Sequence, residues 1–203
     1  MTTTPLTPLA TALTGTGRLV DALHDDEWDL PTPCSDWTVR QLVGHVVGGN
    51  RLVARTLRGE PLPPVEQLGR RDPADQLGED PSTAWHTSAD DLLAAFAVPG
   101  VLERAHTIPA GSLPGAAIVH LRVVETLVHG WDLAVATGRE LAVPDTLAEA
   151  EIAFSRGLLG RLPAGRTPFG PSRPVDDGAP ALDRLAALLG RVPTTAQTGG
   201  RSS

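Results

Sequence analysis

The sequence contains very little cysteine and lacks tyrosine and lysine. It has one cysteine, Cys34, no tyrosine and no lysine, so all 17 basic residues are arginines. One cysteine excludes an internal disulfide framework and a Cys-x-x-Cys metal site, and it suits a reducing compartment. No apolar run reaches the roughly 18 residues of a membrane span, and the first residues lack the pattern of a secretory signal. We therefore expect a cytoplasmic protein with no membrane partner.

Positive charge is also scarce. The formal net charge is −7 at pH 7, and no dense basic cluster interrupts the chain. This balance argues against nucleic acid as a partner. A chain of 203 residues is long enough to bury one substantial apolar core. We expect one helical domain over residues 1–192 and a disordered tail over residues 193–203.

Apolar residues recur at helical spacing in three long segments. The pattern predicts helices over about residues 5–24, 36–58 and 115–137. The last of these is the longest clean helical pattern, and Gly138 directly after it predicts a left-handed C-terminal cap. Each segment has one apolar side, as expected for helices that pack around a shared core.

Polar residues give candidate helix starts. Ser35 and Asp36 are candidate N-caps of the second helix. A third helix is predicted to start at Ser82 or Ser88, where Ser88 and Asp91 have the spacing of a capping box. The helix should end at the following Pro-Gly pair.

The remaining segments contain shorter elements and connections. Residues 59–81 are rich in proline, glycine and charge, which predicts a long loop without a recognisable motif. Two short C-terminal helices are predicted, one from Thr146 to about residue 160 and one from Pro180 to just before Gly190. No segment alternates like a set of strands, so the predicted fold class is all-α.

The stretch VVETLVHGWDLA, residues 123–134, places an acid and a base on one side of a helix. Glu125 and His129 are four residues apart, so their side chains can converge on one point. Burial of an unpaired carboxylate costs several kcal/mol, so Glu125 needs a cation, a proton or a hydrogen-bond network nearby. The apolar seam around it consists of Ile118, Leu121, Val128 and Val135.

A third candidate ligand comes from another helix. His45 lies near the middle of the inward side of the second predicted helix. Together with Glu125 and His129 it makes two histidines and one carboxylate, the donor set of open catalytic sites for zinc or a ferrous-type ion. The alternative is that the same three residues are hydrogen-bonded core residues. Spacing alone does not separate these two interpretations.

Two longer motifs resemble a known family. LPTPCSDWTVRQLVGHVVGGN, followed about eighty residues later by ETLVHGWDLAVATG, resembles the DinB-like metal-binding helical bundles. The nearer likeness is to the actinobacterial branch of the mycothiol-dependent maleylpyruvate isomerase N-terminal domain. The late segment PFGPSRPVDDGAPALDRLAALLGR resembles the tail of an uncharacterised metal-binding subfamily of that group.

This resemblance implies a four-helix bundle with short accessory C-terminal helices. It also implies one divalent metal, usually zinc with nickel or iron as alternatives, held by His45, Glu125 and His129. In the family the metal binds and activates the thiolate of a small thiol such as mycothiol, which then serves as co-substrate. The thiolate adds to a small electrophile, and it either stays attached, as in a transferase, or leaves after rotation about a double bond, as in an isomerase.

Several other residues have two interpretations each. Asp132, three residues after His129, either hydrogen-bonds the free nitrogen of a metal-ligating histidine or pairs with an arginine. Cys34 precedes a helix, where the helix dipole lowers a thiol pKa, but a structural role is favoured. His86 and His106 are interpreted as surface or packing residues.

Arginines near the motifs are candidates for binding an acidic ligand. Arg40, Arg51, Arg55 and Arg122 can hold carboxylates of a thiol cofactor or an acidic substrate, although solvated charge is their commoner role. Trp37 is expected to pack against the bundle. Asn50 is expected to line the cavity.

Three functions fit these residues. The preferred one is a metal-dependent thiol transferase or isomerase that acts on a small electrophile. A non-catalytic metal- or ligand-binding bundle, acting as sensor, store or structural partner, is one alternative. A hydrolase with a metal-activated water is the other. A homodimer through a bundle face is also predicted.

Overall fold

A computed structural model describes residues 6–62, 71–108, 111–159 and 169–193. The chain divides into two compact units, Met1–Leu141 and Ala142–Ser203. Among the described residues, α-helices and one two-stranded hairpin make up the regular structure, together with two short 3₁₀ segments. The predicted all-α fold class is confirmed. The helices are α1 (Thr7–Asp21), α2 (Val39–Arg58), α3 (Pro81–Phe96), α4 (Gly115–Thr137), α5 (Asp145–Leu159) and α6 (Ala181–Leu188).

Helices α1 to α4 form a four-helix bundle within the first unit. Helix α2 packs on α3 and α4, and α1 packs on the same two helices. Fully buried leucines and other apolar side chains fill the space between them. At roughly 25 cal/mol per Å² of apolar surface, this burial is the main stabilising contribution to the bundle. The core includes Leu9, Leu42, Leu92, Ile118 and Leu127.

The N-cap of α2 lies three residues after Ser35 and two after Asp36, its candidate caps. Neither Ser35 nor Asp36 is the N-cap; Thr38 takes that place and forms a capping box with Gln41. The Gln41 amide donates to the Thr38 hydroxyl at 3.4 Å, and the Thr38 amide donates to the Gln41 side chain at 3.1 Å. Ser35 and Asp36 lie in a turn closed by the hydrogen bond from the Trp37 amide to the Cys34 carbonyl, whereas Thr38 is extended, forms a β-bridge with Pro31 and has the geometry of a cap.

Helix α3 starts before both predicted positions. Asp80 is its N-cap and accepts a hydrogen bond from the Thr83 amide at 3.0 Å, with Pro81 at the first helical position. Neither Ser82 nor Ser88 caps the helix. Ser88 is buried within it and bonds the carbonyl of Trp85. A proline directly after an aspartate was the stronger start signal.

Helix α4 is buried on nearly all sides along its middle. Its range matches the predicted helix, and Gly138 takes the left-handed conformation with φ of 66°, which confirms the predicted cap. The predicted seam holds at Ile118 and Val128, but Val135 is 41% exposed. The last turn of α4 therefore extends beyond the part of the bundle that covers its middle.

Two connections contain structure that the sequence did not indicate. Residues Ala105–Ile108 (β1) and Gly111–Pro114 (β2) pair as an antiparallel hairpin. Within the long loop predicted over residues 59–81, Pro73–Gln76 forms a 3₁₀ helix that packs on α2. Four-residue elements are too short for periodicity to reveal them.

The second unit contains α5 and α6, which pack on each other. Arg184 pairs with Glu149 across these helices. Both short helices occur where they were predicted, as accessory C-terminal helices. The disordered tail predicted over residues 193–203 lies, apart from its first residue, outside the described residues, and the single domain over residues 1–192 stays a prediction. No described helix has the length and apolarity needed to cross a membrane.

The contact between α2 and the 3₁₀ helix depends on a missing side chain. A Cβ atom at Gly44 would lie 2.2 Å from the carbonyl oxygen of Pro73, which is backbone and cannot rotate away. A Cβ at Gly48 would meet only the Gln76 side chain, at 3.1 Å. Gly44→Ala should therefore lower the free energy of unfolding by about 1–3 kcal/mol through overpacking.

Gly48→Ala is the matched control for this prediction. Its steric cost is small and the gain in helix propensity is up to about 1 kcal/mol, so the net change should stay within about 1 kcal/mol. Chemical denaturation of both variants provides the comparison. Equal losses of stability in the two variants would contradict the packing described here.

An ion pair fixes the end of α4 to the loop after α1. Arg139 donates to both carboxylate oxygens of Glu27, at 2.6 and 2.8 Å. The hydrogen bond from Arg139 is the main reason that the Glu27 pKa falls from 4.5 to about 2. A carboxyl with a lowered pKa stabilises the fold above its unfolded-state pKa, and this contribution is lost as the pH falls through the folded value.

Glu27→Gln should therefore be less stable than the parent at pH 7, and the difference should shrink between about pH 4.5 and 2. Urea denaturation across this pH range measures the difference; a constant difference would contradict it.

Candidate metal centre

Helices α2 and α4 bring three predicted donor residues together. His45 comes from α2, whereas Glu125 and His129 occupy successive turns of α4. Oxygen Oε2 of Glu125 lies 3.4 Å from Nε2 of His45 and 3.5 Å from Nε2 of His129. One donor atom from each of the three residues lies within 4.8 Å of the others. The three side chains thus converge on one point from two helices.

The spacing of these atoms fits a shared divalent cation. Nitrogen and oxygen ligands of tetrahedral zinc lie about 2.0–2.2 Å from the ion, which places neighbouring donor atoms about 3.3–3.5 Å apart. The two separations from Glu125 Oε2 to the histidine Nε2 atoms, 3.4 and 3.5 Å, agree with that value. They are long for hydrogen bonds to a carboxylate, which are usually 2.7–2.9 Å. The donor set therefore fits a metal better than a compact hydrogen-bonded cluster.

Asp132 orients the buried histidine. Its Oδ2 lies 3.1 Å from Nδ1 of His129, and Asp132 itself is fully buried. A carboxylate only accepts hydrogen bonds, so Nδ1 of the imidazole donates; in the neutral ring, Nε2 is then the nitrogen with the lone pair. Nε2 is the nitrogen that faces Glu125. Of the two roles considered for Asp132, the structure shows the contact with His129.

Trp37 covers the two histidines from outside the helices. Its ring centroid lies 4.3 Å from that of His45 and 5.8 Å from that of His129. The two imidazoles meet edge to face, with centroids 5.1 Å apart. Trp37 was expected only to pack on the bundle. Its position just before the Thr38 cap lies outside any helical periodicity, so spacing could not place it over the site.

Burial and charge act in opposite directions on the three groups. Burial raises the pKa of Glu125, but hydrogen bonds from His129 and His45 outweigh burial and hold it well below its usual value. Burial dominates at His45 and lowers its pKa. At His129 burial lowers the pKa, but Asp132 and Glu125 outweigh it, so the net direction is upward. The site therefore contains an ionised carboxylate between two imidazoles.

A buried arginine joins α2 to α4 next to the donor residues. Arg122 is only 6% exposed and donates to Oδ1 of Asn50 at 2.7 Å. A Cβ atom at Gly49 would lie 2.8 Å from the Arg122 guanidinium, so this glycine leaves room for the buried side chain. Asn50 was expected to line a cavity, but it is fully buried because it bonds both Arg122 and Ser88. The positive charge of Arg122 also helps to keep Glu125 ionised.

A cavity of about 500 Å³ opens beside His45. Its floor is the glycine-rich side of α2, and the 3₁₀ helix with the residues before it forms a wall. His45 and Glu125 are 35% and 23% exposed at their side chains, whereas His129 is 8% exposed. Of the three donor residues, His45 lines this cavity. The arginines that line the cavity are Arg51, Arg55 and Arg71.

Cys34 lies near the site although its role was predicted to be structural. Its sulfur, a donor atom of His129 and a carboxylate oxygen of Asp132 all lie within 4.8 Å of one another. This second group shares His129 with the first. Sequence spacing gave no indication of it, because the loop that carries Cys34 lies between α1 and α2.

The other predicted candidates lie outside the donor group. His86 contacts Asp21 at 3.0 Å on the surface, and His106 contacts the Val101 carbonyl at 2.9 Å. Both therefore have the surface or packing role expected of them. Arg40 sits 5.0 Å over the ring of Trp28 and takes no part in the cavity.

The fold and this site define a class, a helical bundle with a His–Glu–His donor set where two helices meet. The family model of the mycothiol maleylpyruvate isomerase N-terminal domain matches residues 9–134. The chain belongs to this family. The match spans all four helices of the bundle except the ends of α1 and α4.

Two relatives match most of the chain. Two uncharacterized proteins of Mycobacterium tuberculosis, MT0763 from strain CDC 1551 / Oshkosh and Rv0738 from strain ATCC 25618 / H37Rv, are each 34% identical over 174 residues. The alignments cover 85% of this chain and 90% of each relative.

The solved structures support the fold. Crystal structures of the mycothiol-dependent maleylpyruvate isomerase and of a histidine-to-alanine mutant superpose with TM-scores of 0.58 and 0.60 at 16% identity. The match covers 71% of this chain, which spans 65% of the isomerase chain. The DinB-like bundle predicted from the sequence is therefore confirmed.

The contact between Arg122 and Asn50 should stabilise the helix pair that carries the site. Arg122→Met leaves Oδ1 of Asn50 buried without this donor, so unfolding should become easier by about 1–3 kcal/mol. Arg40→Met, which removes a cation–π contact near the surface, should cost about 1 kcal/mol or less. Chemical denaturation measures both. A smaller loss for Arg122→Met than for Arg40→Met would contradict the role given to the buried contact.

Proposed function

We propose that the protein binds one divalent metal, zinc in the first instance, through His45, Glu125 and His129. We further propose that it uses the metal as a thiol-dependent S-transferase or isomerase acting on a small electrophile. The observation that supports this most directly is the convergence of three donor atoms at 3.4 and 3.5 Å beside an accessible cavity. Three protein ligands leave a coordination position for a small molecule.

Each residue of the site has a defined task in this proposal. Both histidines present Nε2, and Asp132 holds His129 in the tautomer that a metal requires. Glu125 supplies one negative charge, and Arg122 helps to keep it ionised. A divalent metal held by these residues would lower the pKa of a bound thiol, so that thiolate, the nucleophilic form, would be available at neutral pH.

The rest of the chain provides access and shielding. Trp37 covers the two imidazoles on one side, and the cavity beside His45 receives the reactants on another. The family assignment favours mycothiol as the thiol, because the solved isomerase with this fold is mycothiol-dependent. A reduced thiol co-substrate is consistent with the cytoplasmic location that we expect from the single cysteine. Dimerisation stays a prediction.

Removal of a donor residue should remove the metal. Protein loaded with zinc and desalted should contain about one zinc per chain, whereas His45→Ala, Glu125→Gln and His129→Ala should each lose most of it. His86→Ala, on the surface and paired with Asp21, should keep the full amount. Elemental analysis of folded protein gives the stoichiometry. Full zinc content in any of the three donor variants would remove that residue from the ligand set.

A thiol that binds the native protein should raise its thermal stability. Mycothiol at 100 times its Kd should stabilise the zinc-loaded protein by about 2.7 kcal/mol, and glutathione and bacillithiol should have smaller effects. The effect of mycothiol should disappear in His45→Ala, which lacks the metal. Melting curves at rising thiol concentration provide the measurement. No shift at millimolar mycothiol in zinc-loaded protein would contradict the thiol function and favour metal binding without a thiol.

A further inference from the structure

Arg122 is a buried cation that helix packing alone does not explain. Its side chain lies between α2 and α4 and is only 6% exposed. Nη2 donates to Oδ1 of Asn50 at 2.7 Å, but Nε is buried without a hydrogen-bond partner among the described residues. A buried donor without a partner destabilises the fold. Such a group in a native structure therefore points to a role beyond packing.

The positive charge of Arg122 is not cancelled by an ion pair. Its guanidinium donates to the side chain of Asn50 and, at 3.4 Å, to the backbone carbonyl of Val46, and both acceptors are neutral. Among the described residues, no carboxylate forms an ion pair with this guanidinium. Burial lowers the pKa of Arg122, but arginine keeps its proton in proteins. Arg122 therefore places one uncancelled positive charge inside the bundle.

This charge lies next to donor residues on both helices. On α4, Arg122 precedes Glu125 by three residues, so the two side chains are neighbours on one side of the helix. On α2, the carbonyl that Arg122 contacts belongs to Val46, the residue after His45. Burial is the main reason that the pKa of His45 is lowered, and the charge of Arg122 adds to this effect. Burial raises the pKa of Glu125, whereas the two histidines and Arg122 lower it.

The charge of Arg122 has opposite effects on a metal and on an anion that binds the metal. Two neutral imidazoles, one carboxylate and a divalent metal leave one net positive charge, and Arg122 adds a second. Charges inside a protein are poorly screened because the effective dielectric constant there is low. Arg122 therefore repels the metal, attracts an anionic ligand of the metal, and has little effect on a neutral ligand.

We propose that Arg122 is a positioning residue whose buried charge makes the metal centre select an ionised ligand over a neutral one. Arg122 weakens the binding of the metal and strengthens the binding of a thiolate. This inference rests on the proposed function for the metal and its three donor residues, and it adds a reason why the thiol binds in its ionised form. Arginine suits the role because a buried lysine readily loses its proton, whereas arginine stays charged.

Three variants separate the charge of Arg122 from its hydrogen bond. Arg122→Met removes the charge and the bond to Asn50 together. Asn50→Ala removes the same bond and keeps the charge. Asn50→Asp keeps the bond and cancels the charge, because a carboxylate at this position would form an ion pair with the guanidinium. Arg122→Met is compared with Asn50→Ala, and Asn50→Asp is compared with the parent.

Zinc affinity should rise when the charge is lost. Competition titrations with a chelator at neutral pH should show about tenfold tighter zinc binding by Arg122→Met than by Asn50→Ala, and by Asn50→Asp than by the parent. Hydrogen bonds from both histidines keep Glu125 ionised in each variant. A purely structural role predicts no such gain, because looser packing of the helices weakens metal binding. Zinc binding by Arg122→Met that is no tighter than by Asn50→Ala would overturn the proposal.

Anion binding at the metal should change in the opposite direction. Cobalt-loaded protein, whose visible spectrum reports ligands at the metal, is titrated with azide, an anion at neutral pH, and with neutral imidazole. Loss of the charge should weaken azide binding by about tenfold in both comparisons and leave imidazole binding nearly unchanged. An equal change for azide and imidazole would show a general disturbance of the metal centre and overturn the proposal.

Asn50→Asp also guards against a folding artefact. Aspartate has nearly the same size and shape as asparagine, so this variant keeps the packing between α2 and α4. Melting curves of all the variants identify those that fold. If Arg122→Met does not fold, the comparison of Asn50→Asp with the parent decides the question. Zinc and azide affinities of Asn50→Asp equal to those of the parent would then overturn the role of Arg122.

Failure of this inference and failure of the proposed function give different results. A parent protein that binds neither zinc nor cobalt would contradict the proposed function, and the inference would fall with it. A parent that binds metal, with azide affinity independent of the charge, would overturn only the role of Arg122. In a last titration 2-mercaptoethanol, whose thiol is its only readily ionised group, replaces azide and should respond to the variants in the same way. A response to azide without binding of 2-mercaptoethanol would support the role of Arg122 and contradict the thiol function alone.

Discussion

The close approach of α2 and α4 is the constraint on which the candidate site depends. Glycine at position 49 leaves room for the guanidinium of Arg122, and the buried contact between Arg122 and Asn50 links the two helices. Only with this spacing do His45 on one helix and Glu125 on the other lie 3.4 Å apart. The same positive charge that joins the helices also favours an ionised Glu125. Arg122 therefore contributes both to the packing of the two helices and to the ionised state of Glu125.

Much of this arrangement could be predicted from the sequence because it follows helical spacing. The i, i+4 relation placed Glu125 and His129 on one side of a helix, and the glycine after that helix gave its end. His45 could be added because its helix also had a clear apolar side. Periodicity identifies which residues share a face, so it identifies ligands carried on long helices well. All three predicted donor residues lie on long helices, which is why spacing could group them.

The features that were missed lie where periodicity carries no information. Trp37 stacks on the histidines from a loop, and Arg71 enters the cavity from another. Among arginines with similar sequence surroundings, Arg122 is buried and Arg51 faces a cavity, and only the packing of neighbouring helices decides between these outcomes. Thr38 replaced the predicted caps because Ser35 and Asp36 lie in a turn and Thr38 is extended. Tertiary context, not local propensity, settled each of these cases.

The central claim is that two imidazoles and one carboxylate of this chain hold a metal that can accept a thiol. Zinc K-edge X-ray absorption of the zinc-loaded protein, recorded without and with mycothiol, tests it most directly. Without thiol, the claim predicts nitrogen and oxygen neighbours at about 2.0–2.2 Å and no sulfur; with mycothiol, one sulfur should appear at about 2.3 Å. A sulfur neighbour before mycothiol is added would assign Cys34 to the metal and contradict the ligand set. A spectrum unchanged by saturating mycothiol would contradict the thiol-binding role.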